Sequence, residues 1–229
     1  MEGISISKRY YWKKIRIILL ILAFVITWAL FMLAITSNRN GNMTIYIDKT
    51  TATKTLSLSE SSTLANPAGK LYGPSLINAW DEKEDHIPAY SDLLDGDRSK
   101  NEGVSYDNSK RNYLAYTFYL FNSGSETLDY EMSFNIEYVD KEADSMIRVR
   151  VYEDDELTTY AKPKNDGEAE YRTTAFESEN TIVSKTYQNF EVNQVRKYSI
   201  VIWIDADDPD TTNDKIGGSI VLSIRYSVL

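Results

Sequence analysis

Between residues 205 and 214 the chain reads Asp-Ala-Asp-Asp-Pro-Asp-Thr-Thr-Asn-Asp, so Asp205, Asp207, Asp208, Asp210 and Asp214 crowd one short stretch with the Asn213 amide. Calcium takes about six to eight oxygen ligands, chiefly carboxylates and carbonyls, and a loop between two strands can converge them. A calcium site on these five aspartates is the alternative to the favoured reading. The favoured reading is a plain turn, in which Asp and Asn side chains accept from nearby backbone N–H groups and Pro209 fixes φ. The spacing is not that of an EF-hand, which needs a glycine at loop position six and a glutamate at twelve.

A second acidic run, Asp81-Glu82-Lys83-Glu84-Asp85, adjoins His86, the only histidine in a chain without cysteine. One imidazole cannot build a His-based zinc site, and no Cys nucleophile or Cys-ligated metal exists. A Ser-His-Asp arrangement would have to use His86, yet no Gly-x-Ser-x-Gly elbow accompanies it. Ser5 and Lys8 have Ser-x-x-Lys spacing but lie in a short basic tail with no pocket. Paired carboxylates for glycoside hydrolysis remain open only because the chain has 34 acidic residues, and that abundance makes the signal unspecific. Gly217-Gly218 lacks the strand and helix context of a phosphate-binding loop. No catalytic site is therefore expected. Tyr72, Trp80 and Tyr90, in an irregular region, are the partner-binding expectation, since Tyr and Trp join apolar area to a polar tip.

The elements that would carry these residues are strands. Leu114, Tyr116, Phe118 and Leu120 share one face of Tyr113 to Phe121. Tyr130, Met132, Phe134, Ile136 and Tyr138 alternate without a fault with polar residues. The turn Asn122 to Glu126 is hairpin-sized. Ile147, Val149 and Val151 oppose Arg148 and Arg150, which predicts a strand with a basic solvent face. Thr181 to Tyr187, Tyr198 to Ile204 and Ile216 to Tyr226 read as further strands. Tyr198 to Ile204 is apolar on both faces and is expected to be central. Met43 to Ile47 is expected to start the domain, with a weaker strand or a stalk in residues 50–63. Residues 65–112 are punctuated by Pro and Gly and read as loop, with short helices near Leu76 to Trp80 and Tyr90 to Leu94. The fold class expected is all-β: an antiparallel β-sandwich, jelly-roll or immunoglobulin-like, over residues 37–229.

In front of it, Ile17 to Thr36 has no charged residue, about the length that spans a bilayer, and is expected to be a transmembrane signal-anchor helix. Lys8, Arg9, Lys13, Lys14 and Arg16 against Glu2 put +4 on residues 1–36. The chain's −9 then leaves −13 on residues 37–229. The basic flank places the tail 1–16 in the cytoplasm and the domain outside the cell membrane. A cleaved signal peptide is the competing reading. The acidic exterior argues against nucleic acid as partner.

The run Tyr116-Thr117-Phe118-Tyr119-Leu120-Phe121-Asn122-Ser123-Gly124 with Thr127-Leu128-Asp129-Tyr130, then Ile202-Trp203-Ile204, Asp208-Pro209-Asp210 and Gly217-Gly218, resembles an exported β-domain of Gram-positive bacteria. It is more loosely similar to the camelysin-like biofilm-matrix proteins. That resemblance, over residues 113–226, implies a jelly-roll sandwich and assembly into extracellular fibres. The chain departs from that family in its long apolar run where the family has a cleaved signal, and it lacks any zinc motif. The functional expectation is a membrane-anchored, extracytoplasmic binding or structural module with a protein or cell-envelope polysaccharide partner. Its alternatives are a matrix or wall subunit assembling by strand addition, hence a homo-oligomer, and a carboxylate-dependent surface hydrolase.

Overall fold

A computed structural model describes residues 12–28, 43–74, 80–87, 112–154 and 156–229. The chain divides into two compact units, Met1–Asn40 and Gly41–Leu229. In the first, residues 12–28 are helical and their large apolar side chains are exposed, Leu20 at 70%. Among the described residues no helix is long and apolar enough to cross a membrane; residues 29–36 of the expected span lie outside them.

The second unit is mostly strand. In chain order these are β1 (Met43–Lys49), β2 (Leu56–Ser59), β3 (Lys70–Tyr72), β4 (Asp81–Glu82), β5 (Tyr113–Asn122), β6 (Leu128–Asp140), β7 (Ile147–Glu153), β8 (Glu156–Ala161), β9 (Thr174–Ala175), β10 (Thr181–Phe190), β11 (Val195–Asp205) and β12 (Ser219–Val228). One sheet of five strands runs β10-β6-β12-β1-β3. The other, of seven, runs β2-β5-β11-β7-β8-β9, with β4 joining β11 where β5 ends. The two share one core, the arrangement of a β-sandwich.

The alternation read from the sequence sets which faces meet. Leu114, Tyr116, Phe118 and Leu120 of β5 and Tyr130, Met132, Phe134 and Ile136 of β6 are all buried in that core. Phe118 stacks on Tyr198 of its own sheet at 5.4 Å and meets Tyr226 of the other edge-on at 6.4 Å. Such aromatic pairs add about 0.5–1.5 kcal/mol each beyond the area they bury. As its two apolar faces predict, β11 is central, between β5 and β7. Tyr138, at the far end of β6, is instead 55% exposed.

The sheets are mixed rather than antiparallel. β1 runs parallel to β12, β4 to β11 and β8 to β9. The first and last strands of the domain thus become neighbours in the sheet interior. Met43 to Ile47 therefore cannot add to a neighbouring chain's sheet, because β1 is flanked by β12 and β3. At the corner between the sheets, Leu58 and Ala68 exchange backbone hydrogen bonds of 2.9 and 2.8 Å, so the chain steps from β2 into β3 with little open edge.

The opposite edge, β10, carries features that blunt strand addition. Glu177 Oε2 accepts from the Ser184 N–H at 2.8 Å, Lys185 turns inward onto Glu153, and the register with β6 is broken near both ends. An inward charge and local irregularity are the usual protections of an edge strand.

The turn after β5 is held as its sequence suggested. Buried Asn122 donates Nδ2 to Phe190 O at 3.0 Å and Glu126 O at 2.9 Å and accepts from the Gly124 N–H at 2.9 Å. Gly124 lies against the Thr53 to Thr55 backbone so closely that a Cβ there would stand 2.2 Å from Thr53 O.

Candidate functional site

The third expected strand, β7, holds the first surprise. Arg148 and Arg150 are not on a basic solvent face: they are 4% and 7% exposed, because the outer face of the seven-stranded sheet is itself covered and apolar around Trp203, Val201, Ala115 and Tyr152. In register, Arg148 lies opposite Trp203 and Arg150 opposite Val201. Each arginine takes its counter-charge from one of the two acidic runs.

Arg148 Nη2 is 2.7 Å from Asp208 Oδ2 and 3.1 Å from Asp205 Oδ2. The remaining oxygens cap the loop: Asp208 Oδ1 accepts from the Asp210 N–H at 2.7 Å, Asp205 Oδ1 from the Asp207 N–H at 3.2 Å, and Thr211 Oγ1 donates to Asp205 O at 2.8 Å. These are Asx-type turns. Burial pushes the Asp205 carboxyl up, with the Asp207 N–H and the Arg148 guanidinium pulling the other way. Asp207 and Asp214 are exposed and Asp210 is half-buried. The five expected calcium ligands are not brought together: among the described residues no three carboxylate, His or Cys side chains form a group that could hold a metal ion.

The other run forms a strap. β4 and the single 3-10 turn Glu84–His86 lie beside β11, where Ala206 N–H donates to Glu82 O at 3.0 Å. Buried Glu82 receives His86 Nδ1 at 2.6 Å, the Lys83 N–H at 3.0 Å and the Asn112 amide. Burial raises the Glu82 carboxyl, but those three hydrogen bonds outweigh it and leave it below the ordinary range. Glu84 Oε1 meets Arg150 Nη2 at 2.5 Å, and that guanidinium sits 4.9 Å from the Trp203 ring centroid. The strap therefore holds a carboxylate–imidazole pair, with neither a nucleophile elbow nor a second histidine in the sequence to use it.

Of the aromatic trio, Tyr72 is on β3 in the five-stranded sheet, with Lys70 Nζ 5.0 Å from its ring centroid. Trp80, 52% exposed, precedes β4 on the other sheet. Tyr90 and the helix expected near Tyr90 to Leu94 lie outside the described residues, as does most of Leu76 to Trp80. Tyr72 and Trp80 belong to different sheets.

Inside the sandwich is a polar cluster that sequence reading missed. Glu153 of β7 accepts from Arg196 Nη1 at 2.9 Å, Lys185 Nζ at 3.1 Å and Tyr187 Oη at 2.7 Å. Arg196 also donates to Tyr130 Oη at 3.1 Å and lies 4.3 Å from the Tyr187 ring centroid. Burial drives the Tyr130 phenol up to about 12, and it also raises Tyr187, Tyr198 and Tyr226. Four strands from both sheets, β6, β7, β10 and β11, are tied here. The available signal was parity: Lys185 shares the inward face of β10 with Tyr187.

The outer face of the five-stranded sheet is different in kind, open and polar. Strand register aligns its outward side chains in rows across the sheet. One row is Tyr72, Thr44, Ser223, Asn135 and Thr181; the next is Lys70, Tyr46, Arg225, Ser133 and Ser184. Two shallow depressions of about 450 and 480 Å³ meet on this face and share Tyr46 and Glu137. The first extends toward Lys70 and Thr44, the second toward Asn180 and Thr181. Glu137 holds Ser223 with one oxygen, and Ser133 Oγ donates to Asn135 Oδ1 at 2.8 Å. Arg225 finds its carboxylate, Asp48, only at 3.9 Å. These residues were legible as the polar half of each alternating strand, but nothing in one sequence aligned them across strands. Comparison of the chain with known protein families gives no match, and comparison with curated proteins gives none either.

Proposed function

We propose that this chain is a single-pass, membrane-anchored module whose domain, residues 37–229, is displayed outside the cytoplasmic membrane and binds a partner without transforming it. The observation that carries this reading is the open polar trough on the five-stranded sheet. It offers hydroxyls, amides, one loosely paired guanidinium and an aromatic ring on the face of a five-stranded sheet, and it contains no pair of groups arranged as nucleophile and base. The anchor is supported by the uncharged run Ile17 to Thr36, by its basic flank, and by the exposed apolar side chains of residues 12–28, which call for an apolar solvent. Assembly by strand addition draws less support, since β1 is internal and β10 is blunted.

The test has two arms. In intact cells making the full chain, external protease should cleave the domain, and detergent-solubilised chain should co-sediment with insoluble cell-envelope material. Tyr46→Ala and Arg225→Ala should lower the sedimented fraction severalfold. A domain protected from protease, or sedimentation indifferent to both substitutions, would overturn the reading.

A further inference from the structure

We infer that the trough takes an uncharged polysaccharide, laid across the strands with a sugar ring against Tyr46. This inference rests on the binding reading above and names its ligand class. Direction is the first argument. The two depressions run from β3 over β1, β12 and β6 to β10, four inter-strand spacings or about 19 Å, perpendicular to the strands. A peptide recognised by a sheet pairs along an edge and spends its backbone groups there; an occupant crossing the face meets side chains only.

Those side chains are the second argument. Glu137 keeps one carboxylate oxygen free of Ser223, Arg225 holds Asp48 at 3.9 Å, and Asn180 lines the second depression. Planar groups bearing two donors or two acceptors match neighbouring hydroxyls on a sugar ring, and a charged partner makes such hydrogen bonds stronger. Thr44 supplies a further hydroxyl, and Tyr46, shared by both depressions, gives a flat apolar surface for the C–H face of a ring at the middle of the trough.

Charge is the third. Lys70 and Arg225 are balanced by Glu137 and Asp48, so the trough has no field to attract a polyanion or a polycation. Its shallowness suits a polymer passing through rather than an enclosed small molecule. A protein partner needs a desolvated apolar centre; here the aliphatic side chains, Ile47, Val221 and Leu222, lie to one side in the first depression, and the second is lined by Asn135, Asn180 and Thr181.

The experiment is native affinity electrophoresis of the full chain in detergent micelles through gels containing a soluble neutral glucan, a mannan or a galactomannan, with polygalacturonate as charged control. The expected result is retardation by at least one neutral polymer. Tyr46→Ala and Arg225→Ala should each weaken it at least tenfold, about 1.4 kcal/mol, with an unchanged melting temperature. No retardation by any neutral polymer, retardation by polygalacturonate alone, or retardation unaffected by both substitutions would overturn the inference. Envelope co-sedimentation separates the two levels: if it persists and depends on Tyr46 while neutral polymers fail, the ligand class is wrong and the binding reading stands. If both fail, both fall.

Discussion

Replacing Asp208 by alanine decides whether the acidic loop is a metal site or the counter-charge of a buried arginine. The Arg148 and Asp208 side chains are 5% and 1% exposed, and their atoms stand 2.7 Å apart. Removing one member of a buried pair costs about 3–5 kcal/mol, because the other charge is left without compensation. Asp205 still faces Arg148 at 3.1 Å, so the lower end applies, about 3 kcal/mol. For a domain of this size that is a fall of roughly 6–12 °C in melting temperature. Asp208→Asn, which keeps an oxygen for the Asp210 N–H, should lose less than the alanine, and the difference measures the turn. The assay is thermal denaturation followed by circular dichroism, with and without millimolar calcium. A cation bound at a hundred times its dissociation constant would add about 2.7 kcal/mol and raise the transition by several degrees. The expectation is no shift. A wild-type transition that climbs with calcium, or an Asp208→Ala transition within about 1 °C of wild type, refutes the structural assignment of this loop.

Glu153→Gln should destabilise by about 3 kcal/mol in urea denaturation, since it removes the shared partner of Arg196 and Lys185 inside the sandwich. The tyrosines around it hold their protons in the folded state. Their stabilisation is complete below pH 10 and is lost as pH rises from 10 toward 12, so alkaline unfolding should begin in that window and the phenolate absorbance of Tyr130 should rise together with it. Glu82 behaves in the opposite sense. Its folded carboxyl is held below 4.5, so its contribution is present above that pH and disappears as pH falls through the lowered value. Glu82→Gln should cost about 1–3 kcal/mol at pH 7, and the gap to wild type should close on acidification. Gly124→Ala forces the Asn122 to Glu126 turn off Thr53 and should cost about 1–3 kcal/mol, read as an earlier melt.

What the sequence revealed and what it hid follow from the range of the interactions involved. β6 alternates faultlessly and β5 gathers its large apolar residues Leu114, Tyr116, Phe118 and Leu120 on one face, because one face of each meets a large core, and their boundaries fall within a residue or two of the spans expected. β3, β4 and β9 have two or three residues each, and their conformation is imposed by the registers of β1, β11 and β8. β8 begins with exposed Glu156 and Leu157 and shows no clean period. The parallel pairing of β1 with β12 joins segments at opposite ends of the domain, which no local pattern encodes. Arg148 and Arg150 were misplaced for an instructive reason. A strand apolar on both faces, as Tyr198 to Ile204 is, implies that its neighbours are covered on both faces too, so polar residues on β7 had to be paired rather than solvated. The two acidic runs, which looked like loops facing solvent or a cation, supply those partners.

The side-by-side, same-direction placement of β1 and β12 has a mechanical consequence. Met43 opens β1 and Val228 closes β12, so these two points lie at opposite ends of one pair of strands in register from Met43–Leu222 to Lys49–Ser227. Tension between them slides the strands lengthwise and loads the bridging hydrogen bonds together, instead of peeling them one after another. A domain tethered through the residues before Met43 would meet drag with its most resistant geometry.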